Sequence, residues 1–174
     1  LYRAGRSAEG IPFLQTAAAA KPVNAVYLGN LGVVLNAAGR PAEAIEAYEA
    51  ALNIDPGLPG MRSNLGVALL ALGRLDEAMA AQRAAIATNP GHAEAHANLG
   101  LALRQAGDAT GAVASYREAI RLRPDYANAW RYLADALAAS GAPGEAEAAA
   151  RKAIALQPAD PAAHHLLARV LAEA

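Results

Sequence analysis

The chain has no cysteine, one tryptophan and one phenylalanine in 174 residues, and aromatic residues make up only 5%. Without cysteine there is no disulfide, no thiol nucleophile and no thiolate metal site. So few large rings exclude a core built on aromatic packing. Hydrophobic residues do reach 55%, yet much of that is alanine, which buries little area and favours helix. Charge of one sign is also missing: 15 Lys and Arg stand against 16 Asp and Glu, for a net charge of −1. No global field therefore gathers nucleic acid or an anionic membrane. No apolar run approaches the roughly 20 residues of a membrane-spanning helix, and the alanines at 17–20 are too short a stretch. These absences leave the compartment open, with the cytoplasm favoured over the periplasm. The chain starts at Leu1 in mid-pattern and stops at Ala174 partway through another unit, which reads as a piece of a longer protein.

What is present is a period. Prolines fall at Pro22, Pro56, Pro90, Pro124 and Pro158, 34 residues apart. Gly5, Gly39, Gly73, Gly107 and Gly141 keep the same step, as do Leu31, Leu65, Leu99, Leu133 and Leu167. A fixed period of this length marks a solenoid, in which one supersecondary unit stacks on copies of itself. Within residues 25–58, Leu28, Leu31 and Leu35 share one face of a first helix. Gly39 follows as the expected stop, because glycine takes the left-handed conformation just past a helix end. A second periodic run through Ala44, Ile45, Tyr48, Ala51, Leu52 and Ile54 ends at Asp55-Pro56. Each unit is thus a helical hairpin. Small residues recur where helices must approach closely: Gly32, Gly66, Gly100, Ala134 and Ala168 on the first helix, Ala44 and Ala51 with their equivalents on the second. Tyr48, Tyr116 and Trp130 are expected to fill the remaining gaps.

Leu31-Gly32, Gly39, Ala44, Tyr48, Ala51 and Pro56 resemble, in order and spacing, the signature of the tetratricopeptide repeat. The following units match through Leu65-Gly66, Leu99-Gly100 and Leu133-Ala134. The resemblance spans full repeats at 25–58, 59–92, 93–126 and 127–160, with partial repeats at 1–24 and 161–174. It implies an all-α fold: a right-handed superhelix of antiparallel helix pairs, with first helices lining a concave groove. It also implies a non-catalytic module that binds a protein or peptide. In the leading partial repeat Pro12 falls where the second helix should be running, so that helix is expected to start late, near Gly10 or Ile11. At the other end Leu166, Leu167 and Leu171 are expected to be incompletely covered.

Two positions before the small residue of each first helix stand Asn30, Asn64, Asn98, Tyr132 and Leu166. Asparagine is roughly 0.6 kcal/mol worse than alanine within a helix, and its amide complements a peptide group. With first helices about 10 Å apart, one Asn falls per three residues of extended peptide at ~3.3–3.6 Å each. This Asn-Leu-Gly pattern resembles the asparagine ladder in the repeats of O-linked N-acetylglucosamine transferases, which grips polypeptides by their backbone. A bond from each Asn to a neighbouring helix is the structural alternative. Around Tyr132, groove-facing places hold Arg104, Asn128, Arg131, Asp135 and, further on, Arg169. A tyrosine between two arginines would suit a binding anchor; a solvated polar face is the plainer account. The carboxylate clamp of related repeats in heat-shock chaperone partners needs Lys and Asn where this chain has Gly29, Ser63, Ala97, Val33, Val67 and Leu101, which argues against that mode.

His92 and His96 have the spacing of a metal pair but no third ligand in phase, and His164 and His165 point to different faces. His96 and His164 share the column of Leu28 and Trp130, which argues for packing. No metal, cofactor, phosphate loop or nucleophile motif is indicated. The expected function is therefore a protein–protein interaction module holding an extended polypeptide, with neither nucleic acid nor membrane as partner. Two alternatives stay open: a substrate-recruiting arm of a glycosyltransferase, and a scaffold that self-associates weakly through its unfinished ends.

Overall fold

The computed structural model describes residues 7–19 and 24–173; Leu1, Gly5, Ala20, Pro22 and Ala174 lie outside the described residues. Those residues form ten helices: α1 (Ser7–Ala19), α2 (Ala25–Ala37), α3 (Pro41–Ile54), α4 (Met61–Ala71), α5 (Leu75–Thr88), α6 (Ala93–Gln105), α7 (Ala109–Leu122), α8 (Ala127–Ala139), α9 (Pro143–Leu156) and α10 (Pro161–Glu173). The chain divides into two compact units, Leu1–Ala85 and Ile86–Ala174. In the first, α1 packs on α2, α2 on α3 and α3 on α4, and α2 also touches α4. In the second, each helix from α6 to α10 packs on the next, and α8 touches both α6 and α10. None of the described helices is long and apolar enough to cross a membrane.

The hairpin turns form where glycine permits them. Gly39, Gly73, Gly107 and Gly141 have φ between 71° and 87°, the left-handed region that costs other residues about 1–2 kcal/mol. Beyond each, a backbone N–H reaches back to a leucine carbonyl five residues earlier: Arg40 to Leu35, Arg74 to Leu69, Asp108 to Leu103 and Ala142 to Leu137, at 2.9–3.0 Å. This satisfies a carbonyl that the helix end would leave orphaned.

The loops between hairpins have a lock of their own. Arg62 Nη1 donates to Pro56 O, and Trp130 Nε1 donates to Pro124 O at 2.9 Å. His96 Nε2 lies 3.0 Å from Pro90 O and His164 Nε2 2.8 Å from Pro158 O. The column expected only to pack thus places a side-chain N–H on the proline carbonyl six residues earlier. Leu28 is its one member without a donor.

Small and large residues alternate across each hairpin. A Cβ added at Gly32 would stand 2.6 Å from the Tyr48 ring, and one at Gly100 would stand 2.7 Å from the Tyr116 ring. A Cβ at Gly66 would strike the Gln82 amide. Gln82 is fully buried, accepts from Ser63 Oγ at 3.0 Å and donates to Ser63 O at 2.9 Å. Where the small residue is Ala134, the second helix carries Ala150, and both are fully buried.

Two expectations about the ends change. α1 begins at Ser7, not near Gly10, and carries Pro12 in its interior. Burial of Ile11 and Ala18 accompanies the packing of α1 on α2 and outweighs the lost N–H. In α10, Leu166 is buried and Leu167 half-buried, while Leu171 is about half exposed. Contacts with α8 and α9 cover the near side of α10 and leave Leu171 bare.

Candidate functional site

Three first helices of the second unit, α6, α8 and α10, run side by side and bring a charged cluster together. Asp135 in α8 accepts from Arg104 Nη1 in α6 at 2.9 Å and from Arg169 Nη2 in α10 at 2.6 Å. Repeat geometry explains the meeting. Arg169 lies one 34-residue step beyond Asp135, so it holds the same register on the next first helix. Arg104 sits one turn beyond that register on α6. All three side chains are partly exposed, so the pairs add little net stability. Their effect is positional: one carboxylate holds two guanidiniums, and each retains further N–H donors.

Arg131 precedes Asp135 by one turn of α8 and shares its face. Its guanidinium lies 4.6 Å from the centroid of the Tyr132 ring, and its Nε is 3.3 Å from Asp160 Oδ2. On its other side Tyr132 meets Tyr116 of α7, with ring centroids 5.7 Å apart and planes tilted by 33°. Tyr132 is thus contacted by an arginine on one side and a tyrosine on the other. Tyr116 is fully buried, and its hydroxyl has no partner in hydrogen-bond geometry. Burial pushes its pKa up to about 12, opposed by Arg104 nearby. Beside the cluster lies an open depression of about 320 Å³, lined by Arg131, Asp135, His165, Leu166 and Arg169.

The asparagines fare unequally. Asn30 on α2 is exposed and Asn64 on α4 is half-buried. Both belong to the first unit, where α2 and α4 touch. Asn98 on α6 is half-buried and already engaged, and Asn128 at the start of α8 is exposed. Arg104, Arg131, Tyr132 and Asp135 are therefore the expected site residues that the fold gathers into one place. Tyr116 and Asp160, which support them, were not anticipated. The spacing of Tyr116 marks it as a gap-filling residue, and nothing in it foretells a ring contact with Tyr132. Asp160 belongs to a loop, where helical phase gives no guidance.

Four tetratricopeptide-repeat models match the chain, at residues 1–59, 35–102, 100–141 and 127–170. The chain belongs to the tetratricopeptide-repeat family. No curated protein matches it in sequence. Among solved structures, a MamA crystal structure is 26% identical with a TM-score of 0.79, covering 88% of this chain and 90% of that one. The thermophilic tetratricopeptide-repeat protein TTC0263 of Thermus thermophilus is 24% identical at TM-score 0.81, covering 97% and 92%. The Cut9–Hcn1 hetero-tetramer of APC/C is 22% identical at TM-score 0.85, covering 96% of this chain and 33% of that chain. These likenesses establish the repeat fold, and a tetratricopeptide-repeat array is a protein–protein interaction module.

Proposed function

We propose that this tetratricopeptide-repeat module binds an extended polypeptide across its first helices, anchored on the second unit by Arg104, Arg131, Tyr132 and Asp135. The observation that carries the reading is the Arg104–Asp135–Arg169 bridge beside the Arg131–Tyr132 stack. Tyr and Arg are the side chains most often found at binding hot spots. Here they are held by neighbours, so less side-chain entropy is lost on binding. The guanidiniums offer N–H donors to peptide carbonyls or acidic side chains, and the Tyr132 ring offers an apolar surface. Asn128 adds an exposed amide on the same helix, and Asn98 a half-buried one on α6. In the first unit, Asn30 and Asn64 supply amides of the kind that grips a peptide backbone.

Fluorescence anisotropy with labelled, unstructured peptides tests the reading. Arg131→Ala and Tyr132→Ala are each expected to weaken binding about tenfold, the scale of a hot-spot truncation. An Asn30→Ala/Asn64→Ala double variant should weaken all peptides by a similar factor, whatever their sequence. Unchanged binding by the Arg131 and Tyr132 variants would remove the anchor. Unchanged binding by the asparagine pair would remove the ladder.

A further inference from the structure

The second unit carries another concavity on a different side of α8. Arg131 and Asp135 point to the polar cluster, whereas Trp130, Leu133 and Leu137, at i, i+3 and i+7, line a crevice of about 430 Å³ between α7 and α9. Its floor is apolar, completed by Ile120 and Ala149, both buried. Its rim is charged. Arg117 of α7 donates to Glu145 of α9 at 2.6 Å across the mouth, and Lys152 stands beside them. Both partners of that bridge are more than half exposed, so opening it costs little. Lys152 has no ion-pair partner among the described residues.

The repeat supplies an internal comparison. In the first unit a crevice of about 260 Å³ is built from residues three repeat lengths earlier. There Leu28 stands for Trp130, Gln15 for Arg117 and Ala50 for Lys152, while Glu43 stands for Glu145 and Glu46 for Ala148. Stacking of hairpins alone therefore makes the crevice. It does not require an indole wall or cations at the mouth, which distinguish the second-unit copy. The indole is also held in place, since its Nε1 is bonded to Pro124 O.

We propose that this crevice is a second docking site, taking a large apolar side chain of a partner peptide that carries carboxylates beside it. The apolar side chain enters between Trp130, Leu133 and Leu137. A neighbouring carboxylate pairs with Lys152, and a second competes with Glu145 for Arg117. Acidic flanks match Arg117 and Lys152 of this rim, whereas no cation among the described residues lines the first-unit crevice, which carries Glu46 where this one has Ala148. The surface is separate from the Arg131–Tyr132 cluster, so it stands or falls independently of the peptide reading above.

Trp130 is the chain's one tryptophan, so its emission reports the crevice directly. The probe is acetyl-Glu-Glu-Leu-Phe-Glu-Glu-amide, titrated into the whole chain. Two controls replace its glutamates by lysines or its Leu-Phe by Ala-Ala. The expected result is a saturable blue shift with the acidic apolar peptide, as the indole loses water, and none with either control. Ala148→Phe, at an exposed position on the lining, should abolish the response. Lys152→Glu, also exposed, should weaken it about fivefold and keeps the test valid should the first variant unfold. Tyr132→Ala should leave it unchanged. No saturable shift, an equal shift with the lysine peptide, or loss in Tyr132→Ala with retention in Ala148→Phe would each overturn the proposal.

Discussion

At the scale of single residues, the hairpins obey a rule of complementary sizes. Gly32 faces Tyr48, Gly100 faces Tyr116, Gly66 faces Gln82, and Ala134 is matched by Ala150. Ala150→Tyr should therefore cost roughly 1–3 kcal/mol through overpacking, since the Ala134 methyl stands where Gly100 has none. Adding Ala134→Gly should recover part of that loss. Denaturant unfolding of the two single variants and the double variant checks this, and strict additivity would contradict the pairing. The buried Tyr116 offers a second check. Its folded pKa of about 12 lies above the ordinary value of 10.0, so the folded state holds its phenolic proton longer than the unfolded state does. That contribution to stability is complete below about pH 10 and is lost as pH rises toward about 12. In ultraviolet titration Tyr116 should ionise latest, with Tyr126 also delayed by its own burial, and Tyr116→Phe should remove one late-ionising group and leave the Tyr126 step. The small-residue column and the gap-filling bulk of Tyr48 and Tyr116 were legible from spacing, but not which ring faces which glycine, and Trp130 lines an open crevice instead. The Gln82–Ser63 bonds were not legible either, because a glutamine in an aromatic column says nothing about which carbonyl it will find.

Helix by helix, boundaries were readable wherever glycine or proline punctuates the period. Gly39 and Asp55-Pro56 end α2 and α3 as their chemistry requires. Gly107→Ala, at φ 87°, should destabilise the second unit by about 1–2 kcal/mol, measured by chemical denaturation. α1 shows the limit of local rules. Pro12 argues for a late start, but packing on α2 carries the helix back to Ser7. The proline-carbonyl lock was hidden for a different reason. Arg62, His96, Trp130 and His164 look unrelated until their shared N–H is placed on Pro56, Pro90, Pro124 and Pro158. Trp130→Phe keeps the ring and loses the donor, and is expected to cost about 1 kcal/mol in thermal or chemical unfolding. No change in stability would mean that the bond is incidental.

Over the whole molecule, the 34-residue period specifies the repeat fold and says little about specificity, which lies where copies diverge. Asp135 replaces the Val33, Val67 and Leu101 of earlier repeats, and Tyr132 replaces asparagine. The sequence shows those departures but not that Arg104 and Arg169 share one carboxylate. That meeting depends on three helices separated by tens of residues. The central claim is that an extended polypeptide lies on the α6, α8 and α10 face. Hydrogen-exchange mass spectrometry of the whole chain, with and without a saturating, chemically unfolded polypeptide, tests it most directly. The account predicts slowed exchange concentrated in α6, α8 and α10, reached in Tyr132→Ala only at about tenfold higher polypeptide concentration. Protection confined to α7 and α9, or none on either face at saturation, would contradict it.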